Sequence, residues 1–151
     1  KWGDKNATDK EVEEVAKIAE AHDFIMSFNE GYNTYLGQGG VNLSGGPKQR
    51  NYLARALIKK PSILILDDST SAVDLITERK IRNKLKDYLK NTTTILIAQR
   101  ITSVMDADKI LVLDRGKIVG QGNHEELMEN CQVYRDIYIS QLGKEGVSFG
   151  S

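Results

Sequence analysis

Four consecutive apolar residues, Ile63 to Leu66, are followed directly by two acids, Asp67 and Asp68. An apolar run without polar alternation predicts a strand that is covered on both faces, as in the parallel sheet of an α/β protein. Ligands of open α/β sheets bind at the carboxyl ends of the strands, which favours a site role for the two carboxylates over that of solvated loop acids. The sequence therefore predicts an α/β fold with a polar site at this edge of the sheet.

A short segment, LSGGPKQR at residues 43–50, is suited to contact an anion. Ser44, Gly45 and Gly46 can bring a hydroxyl and bare backbone N–H groups against a ligand, and Pro47 fixes φ for the first turn of a helix. Because a helix N-terminus carries unsatisfied donors and the positive end of the macrodipole, phosphate is the expected ligand. The alternative is an ordinary Gly-rich loop that caps a helix, and this segment alone does not decide between the two.

Helix signals surround these two features. Thr8 and Glu11 form a capping box that predicts an amphipathic helix over residues 9–27. A second helix is predicted over residues 44–59, starting within the LSGGPKQR segment. Asp74, in the segment SAVD, is placed to cap a third helix.

Further strands and a terminal helical region follow. Residues 93–98 predict a second buried strand, which leads directly into Gln99. Residues 109–113 and 117–120 predict a hairpin joined by an Asp-Arg-Gly turn. A second capping box begins at Asn123 and opens the terminal helices.

Composition limits the classes of function. The chain has 151 residues with 21 Lys plus Arg and 21 Asp plus Glu, so no overall positive field favours nucleic acid as a partner. Its single cysteine, Cys131, excludes an internal disulfide and a four-thiolate metal site, and fits a reducing compartment. No apolar run is long enough to span a bilayer, so any link to a membrane must come through other polypeptide.

Other charged and titratable side chains have ordinary interpretations. The basic residues of the helix after Asp74 are spread around it without interleaved aromatics, which predicts a solvated face rather than a nucleic-acid surface. For the two histidines, His22 and His124, we predict structural rather than catalytic roles.

The order of these features resembles the ATP-binding domain of ABC transporters over nearly the whole chain. LSGGPKQR resembles the signature motif of that family, ILILDD its Walker B strand, SAVD its D-loop, and IAQR the segment that carries its switch histidine. Each motif alone is weak, but four in the same order and spacing are highly specific. The ending ADKILVLDRGKIVGQGNHEELMEN resembles the exporter branch, and NTYLGQGG is similar to the exporter loop that touches the coupling helices of the transmembrane domain.

The resemblance implies an incomplete P-loop NTPase fold, a RecA-like α/β ABC ATPase core with a helical subdomain. Residues 1–60 would form the helical subdomain that carries the signature, residues 61–142 the C-terminal part of the core, and residues 143–151 a disordered tail. The front part that contains the P-loop is missing. Gly40 to Gly45 has only the spacing of a P-loop, since Gly46 follows where Lys and then Ser or Thr are required.

The resemblance also implies roles for individual residues. Asp67 would order Mg²⁺, through water, as an oxygen ligand. Ser44, Gly45 and Gly46 would contact the γ-phosphate of an ATP that is held mainly by the opposite subunit. Asp74 would link the two composite sites of a head-to-tail dimer. The implied cofactors are therefore ATP and Mg²⁺.

Three positions depart from the family pattern. The general base, a Glu after the Walker B Asp, is replaced by Asp68, whose carboxylate stops about 1.5 Å short. A misplacement near 1 Å can cost on the order of a hundredfold in rate. Gln99 replaces the switch histidine and can hydrogen-bond a γ-phosphate, but it cannot carry a proton or a positive charge. Pro47 replaces the usual Gln of the signature, which suits a first helical turn and leaves the phosphate contact largely intact.

The changes at residues 68 and 99 fall in the same composite site. This pairing resembles the degenerate subunit of a heterodimeric ABC exporter, whose own site binds ATP and hydrolyses it slowly while its signature serves the competent site of the partner. A homodimer that hydrolyses slowly at both sites is the alternative.

The expected protein is an ABC-type ATPase that couples ATP binding and hydrolysis to export, at the cytoplasmic face of a membrane. Its partners would be a second ABC ATPase subunit and transmembrane domains in the same parent chain, and nucleic acid is not expected. Because the chain begins at Lys1 without a methionine and lacks a P-loop, we expect a fragment that neither binds ATP tightly nor hydrolyses it alone. Two other classes stay open: a regulatory dimerisation module without useful turnover, and a soluble ABC ATPase of DNA repair or translation.

Overall fold

A computed structural model describes residues 3–37 and 43–143 and divides them into two compact units. The first unit extends to Ile97 and the second begins at Ala98. The subdomain boundary at residue 60 stays a prediction. The predicted tail lies outside the described residues apart from its first residue, as does the end of the predicted exporter loop.

Two helices form where a single helix was predicted. Helix α1 is Asp9–Ile18, opened by the predicted capping box of Thr8 and Glu11, and helix α2 is His22–Met26. Between them Glu20 takes a left-handed conformation with φ 54°, which ends the first helix. The prediction of one continuous helix is therefore wrong, although its start is confirmed.

Side chains from distant parts of the chain bind the backbone at this break. Arg50 Nη1 donates a hydrogen bond to the Glu20 carbonyl at 2.7 Å, and Lys84 Nζ donates to the Lys17 carbonyl at 2.9 Å. The Lys84 ammonium also pairs with the Glu20 carboxylate. The backbone itself closes the helix, because the Lys17 carbonyl accepts from the Glu20 N–H at 3.3 Å and the Ala16 carbonyl accepts from the Ala21 N–H at 2.7 Å, as in a Schellman motif. Lys84 makes these contacts while its side chain stays 46% exposed.

Helix α3, Gly45–Leu57, confirms the predicted second helix, with Ser44 at its N-cap. Leu53 and Leu57 on its buried side belong to the same hydrophobic core as Val15 of α1. Leu57 is completely buried. The core therefore holds α3 along α1 and fixes the position of the N-terminal turn of α3.

A two-stranded parallel sheet completes the first unit. Strand β1, Ile63–Asp67, pairs with strand β2, Thr93–Ile97, in a register that places Ile65 opposite Ile95. Helix α4, Leu75–Tyr88, is the crossover between the two strands. The predicted parallel strands and the helix between them are confirmed.

Only one face of this sheet is covered in the part of the chain that the structure describes. Leu64 and Leu66 are buried in the core with Ile81 of α4. Four isoleucines point to the opposite side and form what we call the isoleucine face: Ile63, Ile65, Ile95 and Ile97, exposed by 60, 62, 48 and 48%. The prediction that both strands are covered on both faces is therefore wrong for the described residues, because an apolar run does not show which of its faces has a neighbour.

The second unit contains the predicted hairpin. Strand β3, Ile110–Asp114, pairs antiparallel with strand β4, Lys117–Gly122. The two residues of the turn, Arg115 and Gly116, have φ of 47° and 77°, as in a type I′ turn. A bulge shifts the register directly after Val112.

Two helices pack on this hairpin. Helix α5, His124–Asn130, is opened by the predicted capping box at Asn123, and helix α6, Gln132–Leu142, follows. His124 Nδ1 lies 2.9 Å from the Tyr134 hydroxyl, which is a structural contact. The core of this unit is formed by Ile101, Ile110, Val112, Leu127, Cys131 and Tyr134. None of the helices in the described ranges is long and apolar enough to cross a bilayer.

Glu11 links the start of α1 to the chain just beyond α3. Its Oε1 accepts a hydrogen bond from Lys60 Nζ at 2.7 Å, and its Oε2 accepts from the N–H and the hydroxyl of Thr8, both at 2.9 Å. The Lys60 ammonium, followed by the Thr8 bonds, lowers the pKa of the Glu11 carboxyl from 4.5 to about 2. The folded state therefore favours the ionised carboxylate.

Replacing Glu11 by Gln should lower the stability of the first unit at neutral pH. Because the folded-state pKa is lowered, the stabilisation is fully present above about pH 4.5 and is lost as the pH falls toward 2. The difference in urea midpoint between wild type and Glu11→Gln should therefore shrink across this range. Glu30→Gln, at an exposed position, is the control. A difference that stays constant down to about pH 2 contradicts this assignment.

Candidate functional site

The two acids at the end of β1 differ in backbone conformation. Asp67 is the last residue of the strand, and Asp68 follows in the left-handed region with φ 46°. The Asp68 N–H donates to the Ile97 carbonyl at 3.0 Å, and both acidic side chains are exposed. Asp is among the non-glycine residues that adopt this conformation most readily.

A tight turn, residues 68–73, leads from these acids to α4, and we call it the acid turn. The Asp68 carbonyl accepts hydrogen bonds from the Ser71 N–H at 3.3 Å and from Ser71 Oγ at 3.1 Å. Asp74 then caps α4 by accepting from the Thr77 N–H at 2.9 Å, and this bond lowers the pKa of the Asp74 carboxyl. The predicted cap is confirmed, whereas a role for Asp74 between two composite sites stays a prediction.

The N-terminal turn of α3 lies directly against the acid turn. We call residues 44–46 the signature turn. A Cβ on Gly45 would lie 3.1 Å from the Ala72 Cβ, and a Cβ on Gly46 would lie 3.1 Å from the Ala72 carbonyl oxygen. Both glycines therefore permit a backbone approach that a side chain would obstruct. Ser44 is exposed, and its side chain makes no capping hydrogen bond.

The side chain of Gln49 joins α3 to the acid turn with both ends of its amide. Nε2 donates to Ser71 Oγ at 3.0 Å and, over a longer distance of 3.4 Å, to the Asp68 carbonyl. Oε1 accepts from the Ala72 N–H at 2.9 Å. No role was predicted for Gln49, although its place four residues after Gly45 puts it on the same face of the helix. That spacing is the signal that could have identified it.

Gln99 lies in the second unit, and a side chain of α6 holds its backbone. The Gln99 carbonyl accepts a hydrogen bond from Gln141 Nε2 at 2.8 Å, and Gln141 Oε1 accepts from the Ile101 N–H at 2.7 Å. The Gln99 side chain itself is exposed. Gln141 was not predicted, because it lies 42 residues from the carbonyl that it binds and belongs to no motif.

The predicted site residues are divided between the two units. Six of them lie in the first unit, where the signature turn and the acid turn are in contact: Ser44, Gly45, Gly46, Asp67, Asp68 and Asp74. Gln99 belongs to the other unit. Across residues 3–37 and 43–143 there is no group of three or more His, Cys, Asp and Glu side chains arranged to hold a metal ion.

Comparison with known proteins bears on the family and the fold of the chain. The ABC transporter family model matches residues 4–71. The uncharacterized ABC transporter ATP-binding protein YfiB of Bacillus subtilis is 51% identical over 145 residues, which cover 96% of this chain and 25% of that protein. The putative multidrug export ATP-binding/permease protein SAB1799c of Staphylococcus aureus is 48% identical over 139 residues, covering 92% of this chain and 24% of that protein.

A solved structure extends the likeness to three dimensions. A bacterial Atm1-family ABC exporter with ATP bound matches 93% of this chain and 25% of its own length, with a TM-score of 0.89 and 40% sequence identity. The described elements therefore define a mixed α/β segment of the ABC ATPase fold.

The chain belongs to the nucleotide-binding domains of ABC transporters, and within that family to the exporter type. The predicted family and fold class are confirmed. The chain spans about a quarter of the length of the curated relatives that it matches.

Replacing Gln141 by Met should loosen the backbone around Gln99. The change leaves the Ile101 N–H without its acceptor, which costs roughly 1–3 kcal/mol for a buried donor. Amide hydrogen exchange at Ile101 should therefore become about tenfold faster or more. Gln121→Met, the same chemical change at an exposed position of β4, serves as the control. Unchanged exchange at Ile101 in Gln141→Met would show that the amide does not hold this segment.

Proposed function

We propose that this chain is the part of an ABC exporter's ATP-binding domain that carries the signature motif and the Walker B strand. In this role it couples ATP binding and hydrolysis to the movement of a substrate across a membrane. The observation that carries the proposal is the likeness to an exporter structure with ATP bound, at 40% identity over 93% of this chain. A relative named as a putative multidrug export ATP-binding/permease protein supports export as the direction of transport.

The signature turn contacts ATP in the site of the opposite subunit. Ser44, Gly45 and Gly46 reach the γ-phosphate of a nucleotide that is held mainly by that subunit. Support comes from the exposed Ser44 side chain, which makes no capping hydrogen bond. The first N–H groups of α3 have no intrahelical acceptor and lie at the positive end of the helix dipole, so a phosphate is a suitable ligand.

Asp67 serves the Mg²⁺ of this chain's own site. Its carboxylate is exposed at the end of β1, where α/β sheets bind their ligands. Mg²⁺ usually keeps several waters and takes one or two carboxylates together with phosphate oxygens, so it does not require a cage of protein ligands. A single strand-end Asp beside bound ATP therefore fits this ion, and ATP and Mg²⁺ are the cofactors of the proposal.

The chemistry at this chain's own site is slow. Asp68 acts as the general base, but its carboxylate ends about 1.5 Å short of the position that a Glu would reach. Gln99 hydrogen-bonds the γ-phosphate without supplying a positive charge. These two residues support a heterodimer in which the partner's site, completed by Ser44 of this chain, is the faster one. Asp74 lies between the two sites and links them.

Other polypeptide segments supply the rest of the transporter. No P-loop Lys followed by Ser or Thr is present in the 151 residues, and the chain covers 25% of YfiB. We therefore assign the P-loop and the transmembrane domains to the same parent polypeptide. The ATP-binding domain then lies on the cytoplasmic face of the membrane, against a second ABC ATPase subunit.

A regulatory role is the second candidate function, and Asp68 and Gln99 favour it as well. With Asp68 and Gln99 in the catalytic positions, this subunit could bind ATP to stabilise the dimer without useful turnover. The two candidates differ in what happens when those positions are restored to the family's residues.

Asp68→Glu combined with Gln99→His should raise ATP turnover in the assembled transporter. If the reach of the base limits the reaction, the gain at this site is up to about a hundredfold. The rate of phosphate release from the purified transporter measures it, with Asp114→Glu on the exposed end of the hairpin as the control. Unchanged turnover together with altered ATP occlusion would support the regulatory candidate instead.

The purified 151-residue chain should neither bind ATP tightly nor hydrolyse it, because the P-loop that grips the phosphates is not among its residues. Calorimetric titration with ATP and Mg²⁺ and a phosphate-release assay measure the two properties. Hydrolysis by this chain that Asp67→Ala abolishes would contradict the expectation.

A further inference from the structure

The amide of Gln49 is the polar link between the signature turn and the acid turn. Its Oε1 is the acceptor for the Ala72 N–H at 2.9 Å, and its Nε2 donates to Ser71 Oγ at 3.0 Å. The Asp68 carbonyl accepts hydrogen bonds from Ser71 Oγ at 3.1 Å and from Gln49 Nε2 at 3.4 Å. One side chain of α3 therefore holds both the beginning and the end of the acid turn.

The backbones of the signature turn and the acid turn also lie close together. Gly45 and Gly46 lie so near Ala72 that a Cβ on either glycine would be 3.1 Å from an atom of that residue. The space between the signature turn and Ala72 is therefore too small for an added side chain without a shift of the neighbouring atoms, and the hydrogen bonds of Gln49 join the two turns across it. Ser44 directly precedes the two glycines, so its hydroxyl moves together with the signature turn and the acid turn.

We propose that Gln49 is a positioning residue that makes Asp68 and Asp74 respond to the ATP that Ser44 contacts. The inference rests on the proposed function, in which that ATP occupies the partner's site. When the phosphate draws in the signature turn, Gln49 carries the Ala72 amide and the Asp68 carbonyl with it. Asp68 and Asp74 therefore shift together. The coupling acts in both directions, because the partner's ATP site and this chain's own site both act on the signature turn and the acid turn.

The polar character of residue 49 matters because packing alone does not fix the orientation of the helix on the turn. An amide presents a donor and an acceptor in a fixed relation, so it selects one alignment of α3 with the acid turn. A methionine has a similar length but no such pair, and it would leave the Ala72 N–H without this acceptor. Gln49→Met is therefore the informative change.

The test is a double-mutant cycle on kcat in the assembled transporter. Ser44→Ala perturbs the contact to the partner's ATP, and Asp68→Asn removes the base of this chain's own site. With Gln49 in place, the combined effect should differ about fivefold or more from the product of the two separate effects. In the background of Gln49→Met the two effects should multiply to within about twofold. A change in KM for ATP is not expected, because the nucleotide is held mainly by the P-loop.

Two further variants separate loss of coupling from loss of folding. Gln49→Glu keeps the acceptor for the Ala72 N–H but loses the donor, so it should retain part of the coupling. Gln121→Met makes the same chemical change at an exposed position of β4 and should leave the coupling intact. Hydrogen exchange of the Ala72 amide, measured on each purified protein, reports whether the acid turn is formed.

The outcomes distinguish this inference from the function on which it rests. Coupling that persists unchanged in Gln49→Met, in a transporter that still hydrolyses ATP, overturns the role of Gln49 and leaves the proposed function standing. Turnover that does not respond to Ser44→Ala contradicts the proposed function itself, because the signature turn would then not contact the ATP that is hydrolysed.

Discussion

The close approach of the signature turn to Ala72 is the contact on which the candidate site depends. At Gly45 and Gly46 the backbone of α3 comes so near the acid turn that an added Cβ would lie 3.1 Å from an atom of Ala72. The core around Leu53 and Leu57 anchors the same helix further along its length. Held at both places, α3 keeps its first turn in a fixed relation to the acids of β1. A side chain at either glycine would place its Cβ 3.1 Å from an atom of Ala72, so the turn would have to shift by a few tenths of an ångström to accept it.

Local features of this fold could be predicted because they depend on residues close in sequence. The two capping boxes and the type I′ turn use groups no more than three positions apart. The break after α1 could not be predicted in this way. The carbonyls at the break are bound by Arg50 and Lys84, which lie 30 and 67 residues away in sequence. Helical periodicity in a single segment carries no information about such donors, and the predicted helix therefore ran too far.

The candidate site could be predicted as a set of residues but not as a set of contacts. Acids after an apolar strand and glycines before a helix have a chemistry that residue type alone reveals. The roles of Gln49 and Gln141 depend on which backbone groups each amide meets, and only the fold decides that. The isoleucine face shows the same limit, because an apolar run predicts burial without showing what provides it.

The environment of the single cysteine has a practical consequence. Cys131 is only 5% exposed and lies against Gly120, where an added Cβ would be 2.7 Å from its Sγ. A thiol buried in apolar surroundings reacts poorly with modifying reagents. A spin label or fluorophore attached to a cysteine introduced at an exposed position would therefore report from that position alone. Spectroscopic distances between chosen points on the chain can thus be measured without removing any native side chain from the core.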